Sequence, residues 1–540
     1  MRPFVPALLV ALGAVALPLV EAPLAAQSHD APVRYDDDYL PASFHEGRRE
    51  ALMSRLPDDA LAIVFGAPTR NRSNDVSFEY RQDSDFLYLT GSPEPGSALV
   101  LAPGGVEVDG RTVREILFVP PRDPSEEVWL GRRFGTERAM EQLGVELAVD
   151  ATRFDELVGP WLASGSYKVH HLPLPDGVPA ASELEGQLEL FRRHVQPITI
   201  EEGGLTGFVL HGVLSSPSPE LFTRLRALVD RGFDPAAASD PTARELAEAF
   251  VDAREYESWS RTHAELTSGH PDGTMLRALL DELRTHKTAE ELTIMQKAID
   301  MTVEAHREVM RSVEPGWHEY EIEALVEHTF KTSGAEYPAF PSIVGSGENS
   351  VILHYETNRR RTEPGDMVVI DVGAEYHGYA ADVTRTVPVS GTFTDEQRAI
   401  YDVVYRAQEA GIEASLAGAP YLAPHRAAEA VMAEGMAELG LIRDETDLNG
   451  LRRFFMHATS HYLGLDVHDV GGGGPLEPGT VITVEPGLYI PAADDIDPRW
   501  WNIGVRIEDD ILVTEDGPVN LSAGAPRSSE EVEALMGERP

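Results

Sequence analysis

The stretch GDMVVIDVGAEYHGYAADVTRTVPV, residues 365–389, decides the reading of the fold. Apolar alternation and β-branched residues on both sides of a glycine-flanked centre mark a β-hairpin. Gly373 and Gly378 flank a turn at Tyr376–His377, so the numbers of facing residues sum to 753, as those of Asp371 and Asp382 do. The two aspartates are then expected directly opposite one another on one face, roughly 5 Å apart at Cβ. Facing carboxylates repel, and something positive should lie between them, a divalent ion being the simplest candidate. Two solvated aspartates on an exposed face are the plain alternative.

Moving toward the C-terminus, FFMHATSHYLGLDVHDVGGGG (454–474) gathers His457, His461 and His468, three of the chain's 18 histidines. Imidazoles are common metal ligands and proton carriers near neutral pH. The spacing of His457 and His461 allows a shared helix face, and the nearby glycines leave that reading open. Two further runs, VITVEPGLYI (481–490) and NIGVRIEDDILVT (502–514), are strand-like with carboxylates inside an apolar pattern. Arg506, Glu508 and Asp510 share one face by period-two parity. A carboxylate on so apolar a strand is paired or metal-bound; an Arg506–Glu508 ion pair is the structural alternative. Together Asp371, Asp382, His461, Glu485 and Glu508 make four carboxylates and one imidazole. Packed into a small volume, they cannot all stay ionised without cations, and two divalent ions would balance them.

Toward the N-terminus, ALAIVFGA, GSALVLAP and REILFVPPRD are short apolar runs bounded by Gly and Pro, as buried strands are. GTERAMEQLG between them reads helical, giving an α/β domain over residues 27–195. Residues 196–275 are turn-rich and then helical, and are expected to form an inserted linker subdomain. A long amphipathic helix then opens a third region, 276–540, with Thr288 and Glu291 spaced as a capping box. Gly471–Gly474 marks a mobile loop. At the chain start, Arg2, an apolar run from Phe4 to Val20 and small residues at Ala25–Ala26 read as a secretory signal peptide over residues 1–26, which places the protein in the periplasm or outside the cell. No later run is long enough to span a membrane.

Composition bounds the partners. Of 540 residues, 42% are hydrophobic and 25% charged, which is ordinary for a globular protein with a core. Asp and Glu number 90 against 45 Lys and Arg, a net charge of −45 that repels nucleic-acid phosphates and anionic lipid. Without cysteine there are no thiolate sites and no Cys nucleophile, so any metal is held by oxygen and imidazole.

The series SIVGSGENSVILHYE (342–356), IDVGAEYHGYAADVTRT (370–386), FFMHATSHYLGLDVHDVG, ITVEPGLYI and GVRIEDDI resembles the pita-bread dinuclear metallopeptidases, most closely the Xaa-Pro aminopeptidase (aminopeptidase P) family. YRQDSDFLYLTG (80–91) and EVWLGRRFG (127–135) resemble that family's N-terminal domain. Coverage is about residues 42–185 and 276–540. The resemblance implies an α/β (α+β) chain, an N-terminal α/β domain followed by a C-terminal pita-bread catalytic domain. It implies hydrolysis of the bond between an N-terminal residue and a following proline by a hydroxide bridging two divalent ions, manganese first, cobalt or zinc otherwise. By matching motif positions, Asp371 binds one ion, Asp382 and Glu508 bridge, and His461 and Glu485 hold the other. Glu485 assists proton transfer. His354 and His468 match catalytic histidines that steady substrate and the tetrahedral intermediate, His457 a histidine of the same shell, and Arg506 an arginine orienting a ligand carboxylate.

The implied partners are peptides with proline in second position and, in a homo-oligomer, further copies of the chain as a dimer or tetramer. Two departures qualify this. The loop after Asp469-Val470-Gly471 lacks basic residues, and Leu87 stands where some relatives place a tryptophan that reaches a neighbouring subunit. A prolidase acting on dipeptides, a creatinase-like C–N hydrolase and a non-catalytic pita-bread binding module are the competing readings. The last two sit poorly with a complete ligand set.

Overall fold

The computed structural model describes residues 33–175, 184–195 and 273–538, with Arg244 isolated between them. Residues 1–26, expected to be a signal peptide, and nearly all of the 196–275 segment lie outside the described residues. Among those described, no helix is long and apolar enough to cross a membrane.

The N-terminal region is a five-stranded sheet in the order Leu147–Asp150, Arg111–Val119, Ala98–Val108, Ala60–Phe65, Lys168–His171. The two outer pairs are parallel and the inner pairs antiparallel. All six residues of Ala60–Phe65 are buried, because successive side chains enter cores on opposite faces. Ala60, Ala62 and Val64 pack with Leu52, Leu99, Leu117 and Leu143. Leu61, Ile63 and Phe65 pack with Val100, Phe118, Phe154 and Phe191. Helices Ala42–Met53 and Gly135–Leu143 cover the first face; Phe154–Ala163 and Glu185–Val195 cover the second. This is the sandwiched α/β layer that the apolar runs imply.

The C-terminal region runs through one order twice: two packed helices, then broken hairpins. Helices Ala289–Ser312 and Glu319–Ser333 precede strands Ile343–Ser346, Met367–Val372, Ala374–Tyr376, Tyr379–Ala380 and Val383–Pro388. Helices Asp395–Glu413 and Ala423–Glu438 precede Val481–Val484, Gly487–Ile490, Ile503–Arg506, Asp509–Thr514 and Gly517–Asn520. The Thr288 hydroxyl and Glu291 carboxylate form the expected capping box. One core serves both halves, with Val309, Ile322, Ile370, Ile400, Val404, Met432 and Val505 all buried in it.

Three expectations are corrected here. The central hairpin turns on His377–Gly378, both at positive φ (48° and 86°), so facing pairs sum to 755 rather than 753. A two-residue turn of this kind needs positive φ at both positions and matches the strand twist. Asp371 therefore faces Thr384, and Asp382 lies diagonally on the same face, since a shift of two preserves parity. Each acid-bearing run of the second half is two strands, broken at Glu485–Pro486 and at Ile507–Glu508. Residues 455–461 are not helical: the helix Leu448–Phe454 has already ended, so His457 and His461 do not share a helix face.

Candidate metal centre

Every acidic ligand candidate sits at or beside one of those breaks, where a strand leaves one sheet for another and turns its side chain into the space between the two hairpins. The hairpins meet edge to edge. The Glu508 N–H donates to the Thr384 carbonyl at 3.1 Å, the Thr384 hydroxyl donates to Glu508 Oε2 at 2.6 Å, and the Thr386 hydroxyl donates to the Arg506 carbonyl at 2.9 Å.

His461 is oriented for ligation. Its Nδ1 lies 3.0 Å from the Tyr462 carbonyl oxygen, which can only accept, so Nδ1 carries the hydrogen. Nε2 is the ring nitrogen left to face the carboxylates. It lies 3.4 Å from Asp382 Oδ2, 3.9 Å from Glu485 Oε1 and 4.0 Å from Glu508 Oε1. Asp382, His461 and Glu508 each offer a ligand atom within 4.8 Å of the others. Asp371 Oδ1 and Asp382 Oδ1 are buried without hydrogen-bond partners. Two buried carboxylate oxygens without partners are unfavourable alone and favourable around cations. The five-residue set fits a divalent metal pair.

The electrostatics agree. Burial, then Asp371, Asp510 and Glu485, pushes the Asp382 carboxyl well above its ordinary range. Burial, then Asp382, Glu485 and Asp371, does the same to Glu508. Burial pushes Glu485 up to about 7, with His461 and Arg506 pulling it back. A cation is built in here: Arg506 donates to Asp371 Oδ2 at 2.6 Å, to the Tyr489 hydroxyl at 2.9 Å and to Thr384 Oγ1 at 3.2 Å. It thus pairs with Asp371, not with Glu508 as its own strand face suggested.

His457 lies in the wall. Its Nδ1 is 2.8 Å from the Ala458 carbonyl oxygen and its Nε2 2.9 Å from the Tyr489 hydroxyl. The carbonyl fixes Nδ1 as donor, so Tyr489 donates to Nε2 while accepting from Arg506. Burial lowers the His457 ring to about 4, keeping it neutral. His354, on a turn after the short helix Gly347–Val351, and His468, on the loop after Leu465, are exposed. The rings of His468 and His461 have centroids 4.3 Å apart. Burial, then the charges of His461 and His354, lowers His468. All nine expected residues thus converge on one region. Thr384 and Tyr489, not expected from sequence, join them. The correct turn would have placed Thr384 opposite Asp371. Tyr489 carries the parity of Glu485, its only signal.

Residues 45–170 match the family described as aminopeptidase P, N-terminal domain, and residues 293–515 match metallopeptidase family M24. The chain is 35% identical over 500 residues to an Xaa-Pro aminopeptidase of Escherichia coli (strain K12), covering 91% of this chain and 96% of that one. The structure of aminopeptidase P from E. coli with the inhibitor Pro-Leu matches with a TM-score of 0.72 at 33% identity, covering 92% of this chain and 99% of that chain. A Zn-substituted E. coli aminopeptidase P in complex with product matches with a TM-score of 0.73 at 33% identity, covering 93% and 100%.

Proposed function

Since the chain belongs to the Xaa-Pro aminopeptidases of metallopeptidase family M24, we propose that it hydrolyses the bond between a peptide's first residue and a proline in second place, with Asp371, Asp382, His461, Glu485 and Glu508 holding a pair of divalent ions. One observation carries this reading: His461 Nε2 faces three carboxylates within 4.0 Å while its Nδ1 is held by a backbone carbonyl. Divalent ions held there supply Lewis-acid chemistry, lowering the pKa of water and polarising the scissile carbonyl. Four hard carboxylates and one imidazole suit manganese, with cobalt or zinc as substitutes.

The chain's own residues do the rest. Arg506 orients Asp371 through a bond at Oδ2, which leaves Oδ1 unpartnered for an ion. Glu485, half-buried beside His461, takes a proton from the attacking water. It returns that proton to the proline nitrogen, which leaves as a secondary amine and must gain a hydrogen. His354 and His468, on the open side, steady the substrate and the tetrahedral intermediate. The neutral His457 ring, set edge to face with Phe455 at 5.5 Å between centroids, gives an uncharged wall against which the pyrrolidine ring packs. An amide nitrogen without hydrogen offers peptidases no N–H to grip, so recognition must come from ring shape and the free amine. That amine sits against the acidic cluster, which selects the chain end.

Initial rates on a free-amine Xaa-Pro-Xaa peptide, its N-acetylated form, its Xaa-Ala-Xaa counterpart and the Xaa-Pro dipeptide test the proposal. Rapid cleavage of the first and little of the others is expected. Equal hydrolysis of the acetylated peptide refutes it, and failure on the tripeptide with cleavage of the dipeptide makes the chain a prolidase. Arg2 and the apolar run Phe4–Val20 support export to the periplasm or beyond, which N-terminal sequencing of protein from fractionated cells checks. Assembly as a homodimer or tetramer is expected with it, and sedimentation at working concentration reads this directly.

A further inference from the structure

Four consecutive residues, Arg284 to Lys287, close the helix Gly273–Thr285 and bond along the loop that carries His468. Arg284 Nη2 donates to Asp466 at 2.7 Å and to Asp469 at 2.5 Å. The Thr285 hydroxyl reaches the Val470 carbonyl at 3.5 Å, and His286 Nε2 lies 2.7 Å from Glu477 Oε2. Lys287 Nζ donates to Asp469 at 3.0 Å, and its N–H donates to the Gly479 carbonyl at 2.9 Å. The side chains of Arg284, Lys287 and Asp469 are only 1–2% exposed, so these ion pairs are held in low dielectric, where geometry is stiff and an unpaired member is costly. A Cβ at Gly464 would run into the Asp469 carboxylate, so this close packing needs the glycine.

Within the loop, the Asp469 N–H donates to the Tyr462 carbonyl at 2.9 Å and the Gly464 N–H to the Asp466 carbonyl at 3.1 Å, but its far half is glycine. It contains Gly471–Gly474, and at Gly472 and Gly474 nothing lies within 4 Å of where a Cβ would be. The same Arg284 donates to Asp85 at 2.7 Å in the N-terminal helix Ser84–Thr90, and the Ser84 hydroxyl donates to Asp466 at 2.6 Å. We infer that Arg284 and Lys287 are positioning residues for catalysis: Arg284 through Asp466 and Asp469, and Lys287 through Asp469, fix the loop that presents His468 beside His461, and Arg284 through Asp85 ties the N-terminal domain to that loop. The inference rests on the reading in which His468 steadies the substrate.

The test uses the full-length, metal-loaded enzyme and Asp469→Asn, alone and combined with His468→Ala, with amide hydrogen exchange over residues 466–474. Asp469→Asn, assayed well below its melting temperature, is expected to lower kcat/KM on an Xaa-Pro-Xaa peptide about tenfold or more and to speed exchange in the loop. On the His468→Ala background the same change should alter kcat/KM less than about twofold. Lys287→Met, which leaves Arg284 in place, should show a smaller loss in the same direction, and Lys287→Arg should restore the rate. A role in packing alone would lower the melting temperature without that pattern. Wild-type kcat/KM in folded Asp469→Asn, a loss that multiplies in full with that of His468→Ala, or unchanged exchange overturns the inference. If His468→Ala alone leaves kcat/KM unchanged, the role of His468 falls instead, and the clamp stands or falls on the exchange rates.

Discussion

Replacing Arg506 by Met should destabilise the protein in a way that metal largely relieves. Arg506 and Asp371 form a 2.6 Å ion pair with side chains only 4% and 11% exposed. Removing one partner of a buried pair leaves an uncompensated charge, at a cost of about 3–5 kcal/mol. In a domain of this size about 1 kcal/mol moves the melting temperature by roughly 2–4 °C, so the metal-free variant should melt some ~6–20 °C below the metal-free wild type. Asp371 Oδ1, however, is buried, unpartnered and free for a cation. With ions bound there, the carboxylate keeps a counter-charge when the arginine goes. What then remains is the loss of hydrogen bonds to Tyr489 and Thr384. That residue should be about 1–2 kcal/mol. Linkage then requires the variant to bind the ions more tightly than wild type does. Calorimetric melts of both proteins, stripped and loaded, measure all four corners. An equal deficit in both states would refute the idea that guanidinium and metal share the charge of Asp371.

Three further outcomes follow from the same geometry. Burial pushes Glu485 up to about 7 and holds Asp382 and Glu508 well above their usual range, so ions must displace protons. Affinity should weaken as pH falls below about 7, and titration calorimetry in two buffers of different ionisation enthalpy should find at least about one proton released per chain at pH ~6; no release contradicts this. The sign for stability is the reverse of the common one for a carboxylate. With its folded value raised to about 7, Glu485 makes the native state hold more protons than the unfolded chain between its ordinary value and 7. Metal-free stability should therefore fall as pH rises through that window, while the metal-loaded protein escapes the fall; denaturant melts at the two ends read both. Finally, a Cβ at Gly373 would run into the Ala381 carbonyl oxygen within the hairpin that carries Asp371 and Asp382. Gly373→Ala should lose cooperative melting or metal binding, and a variant with wild-type values for both would contradict the hairpin geometry.

The sandwiched N-terminal sheet was readable because Ala60–Phe65 is apolar throughout, as only a strand buried on both faces can be. The site was readable because Glu485 and Glu508 interrupt apolar strands, where a carboxylate without a partner is costly. Register was harder. The difference between 753 and 755 depends on whether the turn centres on Tyr376–His377 or His377–Gly378, and only the second places a glycine where positive φ is required. Same-face parity survived the slip, so Asp371 and Asp382 still converge. The partner of Arg506 could not be read from its own strand. Parity offers Glu508, but Asp371, 135 positions away, wins because the two hairpins meet edge to edge. Tyr489 was silent for a similar reason: on an apolar strand a tyrosine reads as core, and its hydroxyl finds His457 and Arg506 only after folding. A four-residue spacing allowed a helix for His457 and His461, yet the helix ends at Phe454; the distant Tyr489 hydroxyl positions the His457 ring, and the neighbouring Tyr462 carbonyl positions that of His461.

The most direct measurement is metal content and peptide hydrolysis on one preparation, stripped and then reloaded with manganese, beside Asp382→Asn treated alike. The arrangement of His461 and the four carboxylates predicts two ions per chain, hydrolysis of Xaa-Pro-Xaa that vanishes on stripping and returns on reloading, and a variant with fewer ions and no activity. Stripped protein that cleaves the peptide at the loaded rate would contradict it.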